Sequence, residues 1–163
     1  MHEGGFFVHK RNWGMGLLAA LPVGIVALVG ALFTDSGGAW YRGLAKPPLN
    51  PPGYGFAIAW SVVYLLCALA LFLSVARGMQ YPASLTVALA LNGALNAAWP
   101  FVFFRLENIG LGVLLLLGIV VSLLLSLKGF FARWRVAGIL FLPYLLWGLF
   151  ALYLNIGLYA LNG

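Results

Sequence analysis

Two asparagines four residues apart, Asn92 and Asn96, stand in an otherwise apolar stretch, with Trp99 three residues further on. At helical spacing all three share one face. A carboxamide in hydrocarbon costs free energy unless it is paired, so that face should point inward. There it either bonds a neighbouring helix or orients a bound molecule. Two other stretches carry similar groups: Trp60 and Tyr64 are four apart, while Tyr144, Trp147, Ala151 and Asn155 follow a three-or-four spacing. Aromatic faces stack and amides fix orientation, so these residues suit the binding of a flat, largely apolar molecule. They suit acid–base turnover poorly, because the apolar stretches contain no His, Asp, Glu or Lys. His2 and His9 precede the first stretch and Cys67 is the one cysteine, so no metal cluster, haem ligation or intrachain disulfide is expected. The expectation is binding without a resident cofactor.

A second group of candidates lies in the connection ahead of Trp60. The segment "KPPLNPPGY", Lys46–Tyr54, holds Pro47, Pro48, Pro51 and Pro52, half of the chain's prolines. Each fixes its own φ and restricts the residue before it, which makes the segment a stiff collar. Trp40 and Tyr41 add aromatic faces just upstream, and Arg42 and Lys46 add cations that can meet a carboxylate. With Asn50, these residues would form a lid whose stiffness lowers the ordering entropy lost on binding. The simpler alternative is an extended loop that ends where a helix begins.

The elements that must position these groups are membrane helices. The 163-residue chain is 64% hydrophobic and 7% charged, with mean hydropathy +1.03, far from the usual soluble mixture. Five apolar runs read as spans, at about 13–33, 55–76, 83–104, 109–127 and 136–159, with a lid loop at about 34–54. Residues 1–163 thus form a single all-α transmembrane domain. The basic "HKRN" before the first run resembles a signal-peptide start. The run is longer than a cleaved signal needs, and its small-residue spacings Gly16/Ala20, Ala20/Gly24 and Ala27/Ala31 suit a retained packing helix. In the third span, Ala90/Ala94, Gly93/Ala97 and Ala94/Ala98 could serve a contact within the bundle or across a dimer. The fourth span offers only Ser122 and Ser126 as polar groups and reads as support. Trp13 and Trp134 fit a membrane interface, whereas Trp147 falls near mid-span.

The net charge of +6 is a topology signal, not a nucleic-acid footprint. Lys10, Arg11, Arg77, Lys128, Arg133 and Arg135 fall on one side; Arg42, Lys46 and Arg105 fall on the other. In a bacterial cell membrane this bias puts the N-terminus in the cytoplasm and the proline collar outside.

The order "WY", "KPPLNPP", "FAIAW", "LN…N..W", "LPYLLW" and "LYLN" resembles the translocator protein family, also called tryptophan-rich sensory proteins or peripheral-type benzodiazepine receptors. The resemblance runs from about Trp40 to Asn155. It implies five transmembrane helices, a ligand cavity closed by the first loop, and often a homodimer. It also implies porphyrin and tetrapyrrole ligands, with sterols and benzodiazepine-type compounds in some members. By motif, Trp40 and Tyr41 match the loop aromatics, and Pro47, Asn50, Pro51 and Pro52 match the collar. Trp60 and Trp147 match tryptophans that face bound porphyrin, and Asn92, Asn96, Trp99 and Tyr144 match cavity-lining positions. Some members degrade protoporphyrin in light, for which Trp60 and Trp147 would be the matching residues. Two departures stand out. Leu49 occupies a collar position that is commonly aromatic, and no Lys or Arg follows Tyr153 or Tyr159 to complete a sterol-recognition pattern. Specific sterol binding is therefore not expected.

Overall fold

In hydrocarbon a spanning segment must satisfy its own backbone groups, and this sequence does so with helices throughout. The structure, a computed structural model, describes residues 12–163. The expected tail residues His2, Glu3, His9, Lys10 and Arg11 lie outside the described residues. The spanning helices are α1 (Trp13–Phe33), α3 (Gly53–Ala76), α4 (Ala83–Pro100), α5 (Ile109–Phe131) and α6 (Arg135–Asn162). A short helix, α2 (Ala39–Gly43), lies in the first loop, and a π-helical turn, Phe101–Arg105, continues α4. Five spanning helices are what the sequence predicts. The last two run further than expected because Lys128–Phe131 and Ala160–Asn162 stay helical past the apolar runs.

Local chemistry sets several ends. Asn12 and Asn108 cap α1 and α5, their side-chain oxygens accepting from the amides of Met15 (3.3 Å) and Leu111 (2.9 Å). Pro52 and Pro82 stand immediately before α3 and α4, where a missing N–H costs nothing. Pro100 cannot donate to the ladder, and there α4 widens into the π turn, which closes with the Leu106 amide on the Phe101 carbonyl (3.1 Å).

The helices form a closed ring in the order α1, α3, α6, α5, α4 and back to α1. Small residues let them approach. A Cβ on Gly16 would lie 2.8 Å from the Phe72 carbonyl oxygen, and one on Gly118 would lie 3.0 Å from Leu95 Cδ1. Leu116, Ile119, Leu123, Phe130 and Phe141 form the dense part of the core between α3, α5 and α6. By contrast α1 buries only Gly16 and Gly30. Its side chains are largely exposed, yet it lies close against α3 and also meets α4, and space remains along its inner face.

The collar is fastened to α6. Pro47 rests on Gly157, where a Cβ would come 2.6 Å from Pro47 Cβ. Tyr153 donates its hydroxyl to the Pro48 carbonyl (3.0 Å), and Asn162 both accepts from the Ala45 amide (2.8 Å) and donates to the Ala45 carbonyl (2.9 Å). Within the loop, Trp40 and Tyr41 pack edge-on against Phe103, with ring centroids 5.4 and 6.2 Å away.

Candidate functional site

Below this lid, toward mid-span, lies a chamber of about 690 Å³ between α1, α3 and α4. Its α1 wall is made of small residues, including Gly24, Ala27 and Gly30. Opposite them stand Phe56, Trp60 and Tyr64 on α3, with Asn96 and Trp99 on α4. Helical spacing explains the set, since Phe56, Trp60 and Tyr64 recur every four residues and present one stripe. Trp60 and Tyr64 stack with centroids 5.3 Å apart. Trp99 stacks on Phe103 at 5.1 Å, and its indole N–H reaches Asn155 Oδ1 at 3.4 Å. Ala57, Ser61 and Leu65 on α3 and Ala31 on α1 line the chamber and are exposed, so it opens sideways through the α1–α3 seam.

The chamber ends on a wall of hydrogen bonds. Tyr64 donates to Asn96 Oδ1 (2.6 Å), Asn96 donates to the Tyr144 hydroxyl (2.6 Å), and Tyr144 donates to Asn92 Oδ1 (2.9 Å). Asn92 passes its amide protons to the Ile119 carbonyl (3.1 Å) and Ser122 Oγ (3.0 Å). The run of donors crosses the bundle from α3 through α4 and α6 to α5. Asn92 is buried glue to α5, and Asn96 bonds α3 and α6 with an edge on the chamber.

A profile of the TspO/MBR family matches residues 18–161. The chain belongs to the TspO/MBR family. It is 31% identical to a tryptophan-rich protein TspO of Archaeoglobus fulgidus, over 90% of this chain and 94% of that one. It is 30% identical to a tryptophan-rich sensory protein of Cereibacter sphaeroides, over 94% of each. The human translocator protein is 29% identical over 86% of this chain and 85% of its own.

In this TspO/MBR protein the sequence candidates fall into three groups. Trp60, Tyr64, Asn96 and Trp99 line the main chamber. Tyr41 and Ala151 line a void of about 30 Å³ beside it, and share that void with Trp60 and Trp99. The remaining candidates line neither of these spaces. Trp147 does not line the chamber; it stands edge-on behind Trp60 at 6.2 Å and against Phe56 at 6.0 Å. Its Nε1 is buried with no hydrogen-bond partner. Lys46 turns back into its own loop, donating to the carbonyls of Tyr41 and Leu44 (2.9 Å) with its Nζ 4.5 Å from the Tyr41 ring centroid. Burial lowers its pKa. Arg42 is exposed at the loop surface and lines neither space. Pro47, Pro51 and Pro52 shape the loop without reaching the chamber, and Asn50 accepts from the Tyr41 hydroxyl at 3.1 Å. Burial raises the Tyr41 pKa, an effect partly offset by that hydrogen bond.

Sequence reasoning missed the α1 wall, Phe56 and the π turn. The signal for α1 was present and carries two meanings: Gly16 makes the expected close approach to Phe72, whereas Gly24 has no atom within 4 Å of an added Cβ and serves space rather than helix contact. Gly93, read for a bundle or dimer contact, meets Val26 of α1 within the bundle, its built Cβ lying 3.4 Å from Cγ2.

Proposed function

We propose that this protein binds porphyrins and related tetrapyrroles in the chamber beside α1 and senses or moves them, as a homodimer, without an enzymatic cycle of its own. The observation that carries the reading is the chamber itself. Its volume lies in the range of about 300–1,000 Å³ usual for small-molecule sites, and Trp60, Tyr64, Asn96 and Trp99 give it aromatic faces with one orienting amide. Among the described residues, exposed Arg42 is a cation placed to meet a propionate-type carboxylate near the loop. The printed name of the Cereibacter sphaeroides relative, a sensory protein, is in keeping with this role. The loop faces outward and the N-terminus inward in a bacterial cell membrane, on the distribution of Lys and Arg.

Titrating the purified protein with protoporphyrin IX while following tryptophan fluorescence tests the reading. Saturable quenching that weakens in Trp60→Ala supports it; absence of saturable quenching rejects it. Cross-linking in membranes tests the dimer, and reporter fusions at the two termini test the orientation.

The Trp60–Trp147 contact favours a second reading, light-dependent breakdown of the bound porphyrin, with Trp60 at the wall and Trp147 behind it. Illumination decides it. Equal loss of porphyrin absorbance with the wild type, with a Trp60→Phe, Trp147→Phe double variant and without protein would rule out a protein contribution.

A further inference from the structure

On the other side of the hydrogen-bonded wall lies a second cavity, of about 530 Å³. Tyr64 and Asn96 line both spaces, while Cys67, Leu71, Phe141 and Tyr144 bound only this inner one. By volume it would hold roughly 17 waters at about 30 Å³ each. Each buried water needs about three polar partners, and most of the polar side chains here are already engaged with one another or with the backbone. The Tyr64, Asn96, Tyr144 and Asn92 groups bond one another or α5. Tyr81 pairs with Ser74 (2.5 Å), and Thr86 donates to the Pro82 carbonyl (3.2 Å). Among the described residues, no charged side chain lines the space. Left empty, it would forfeit the dispersion contacts of its walls. One flank is open. Met15 and Leu18 on α1, and Thr86 and Ala90 on α4, line the cavity and are exposed, on the side of the Val26–Gly93 contact away from the lid. In a bilayer that seam meets hydrocarbon.

We propose that the inner chamber is a lipid site, in which one acyl chain of a membrane phospholipid enters between α1 and α4 and lies along α1 from Met15 to Val26. That stretch is about 16 Å long at 1.5 Å per residue. The chain supplies the apolar contacts that water cannot, and the small residues Ala19 and Ala90 leave room for it. The site is separate from the tetrapyrrole chamber and stands whether or not that chamber binds porphyrin.

The test uses the full chain in nanodiscs of phosphatidylcholine whose acyl terminus carries a diazirine. After irradiation, adducts are mapped by peptide mass spectrometry. Adducts are expected on Cys67, Leu71 and Phe141, which are 4%, 8% and 3% exposed and out of reach of lipid around the bundle. They should fall to background in both Ala19→Phe and Ala90→Phe, which fill the space from different helices, while labelling of the outward Ile139 and Leu146 persists. Helicity and elution volume confirm that each variant is folded and of unchanged oligomeric size. A wild type labelled only on outward residues would overturn the proposal, as would buried labelling that survives in both folded variants. The porphyrin titration is run in parallel and should be unaltered by either substitution.

Discussion

The hydroxyl of Tyr144 does two jobs at once, accepting from Asn96 and donating to Asn92. Removing it orphans groups on both amides, and an unsatisfied buried polar group costs about 1–3 kcal/mol. Tyr144→Phe should therefore lower the unfolding midpoint in detergent, and more than Tyr64→Phe, whose hydroxyl meets only Asn96. Trp147 presents the opposite case. Its N–H has no partner to lose, so Trp147→Phe should stay within about 1 kcal/mol of wild type in the same assay. Trp60 stands on the chamber wall, and Trp60→Ala should weaken protoporphyrin about tenfold, an aromatic contact being worth roughly 1.4 kcal/mol on the affinity scale. The sequence showed that these groups face inward, because an amide in hydrocarbon has few other options. It did not show which of them touch the cavity. Trp60 and Trp147 have the same side-chain chemistry, and only the packing of α3 against α6 puts one in front of the other.

The first loop behaves as an extension of α6. Its turn Pro47–Asn50 closes with the Asn50 amide on the Pro47 carbonyl at 3.3 Å, and the third residue, Leu49, has φ of 65° and is 78% exposed. A bulky side chain in the left-handed region costs about 1–2 kcal/mol, less for asparagine. Leu49→Asn should accordingly raise thermal stability by about 1 kcal/mol. Gly157→Ala should do the reverse. Its new methyl would drive into Pro47 and lift the collar, which limited proteolysis would report as faster cleavage within residues 34–54. Tyr41 adds a pH dependence to the same anchoring. Burial favours its neutral form and raises its pKa above the ordinary 10.0, so its contribution is complete below that value and is lost as pH climbs through the raised folded value. Protease resistance of the loop should decline in that alkaline range, and Tyr41→Phe should flatten the response. The sequence marked the collar as stiff from its prolines alone. Its attachment was not legible, because Ala45–Asn162 and Pro47–Gly157 are contacts between positions more than a hundred residues apart.

For the whole molecule, the five-helix architecture was legible from run length and hydropathy, since a bilayer allows few other solutions to so apolar a chain. The arrangement of the cavities was not. It depends on α1, which meets α3 through contacts such as Gly16 against Phe72 and α4 through Val26 against Gly93, and whose other small residues look the same in sequence whether they meet a helix or a void. The outcome is two spaces back to back, one opening at the α1–α3 seam and one at the α1–α4 seam, with Tyr64 and Asn96 between them.

The fastening of the collar to α6 also bears on how a ligand of the proposed kind would reach the chamber. A hinged cap would admit cargo from the aqueous face, but this one is latched at Ala45, Pro47 and Pro48 to a helix that itself packs on both α3 and α5. Lifting it means dragging a bundle member along. On the proposed reading the cheaper doorway is the flank beside α1, and a guest would arrive already dissolved in the bilayer. The concentration that sets occupancy is then the one in the lipid phase, and a hydrophobic guest is gathered by the membrane before the protein meets it.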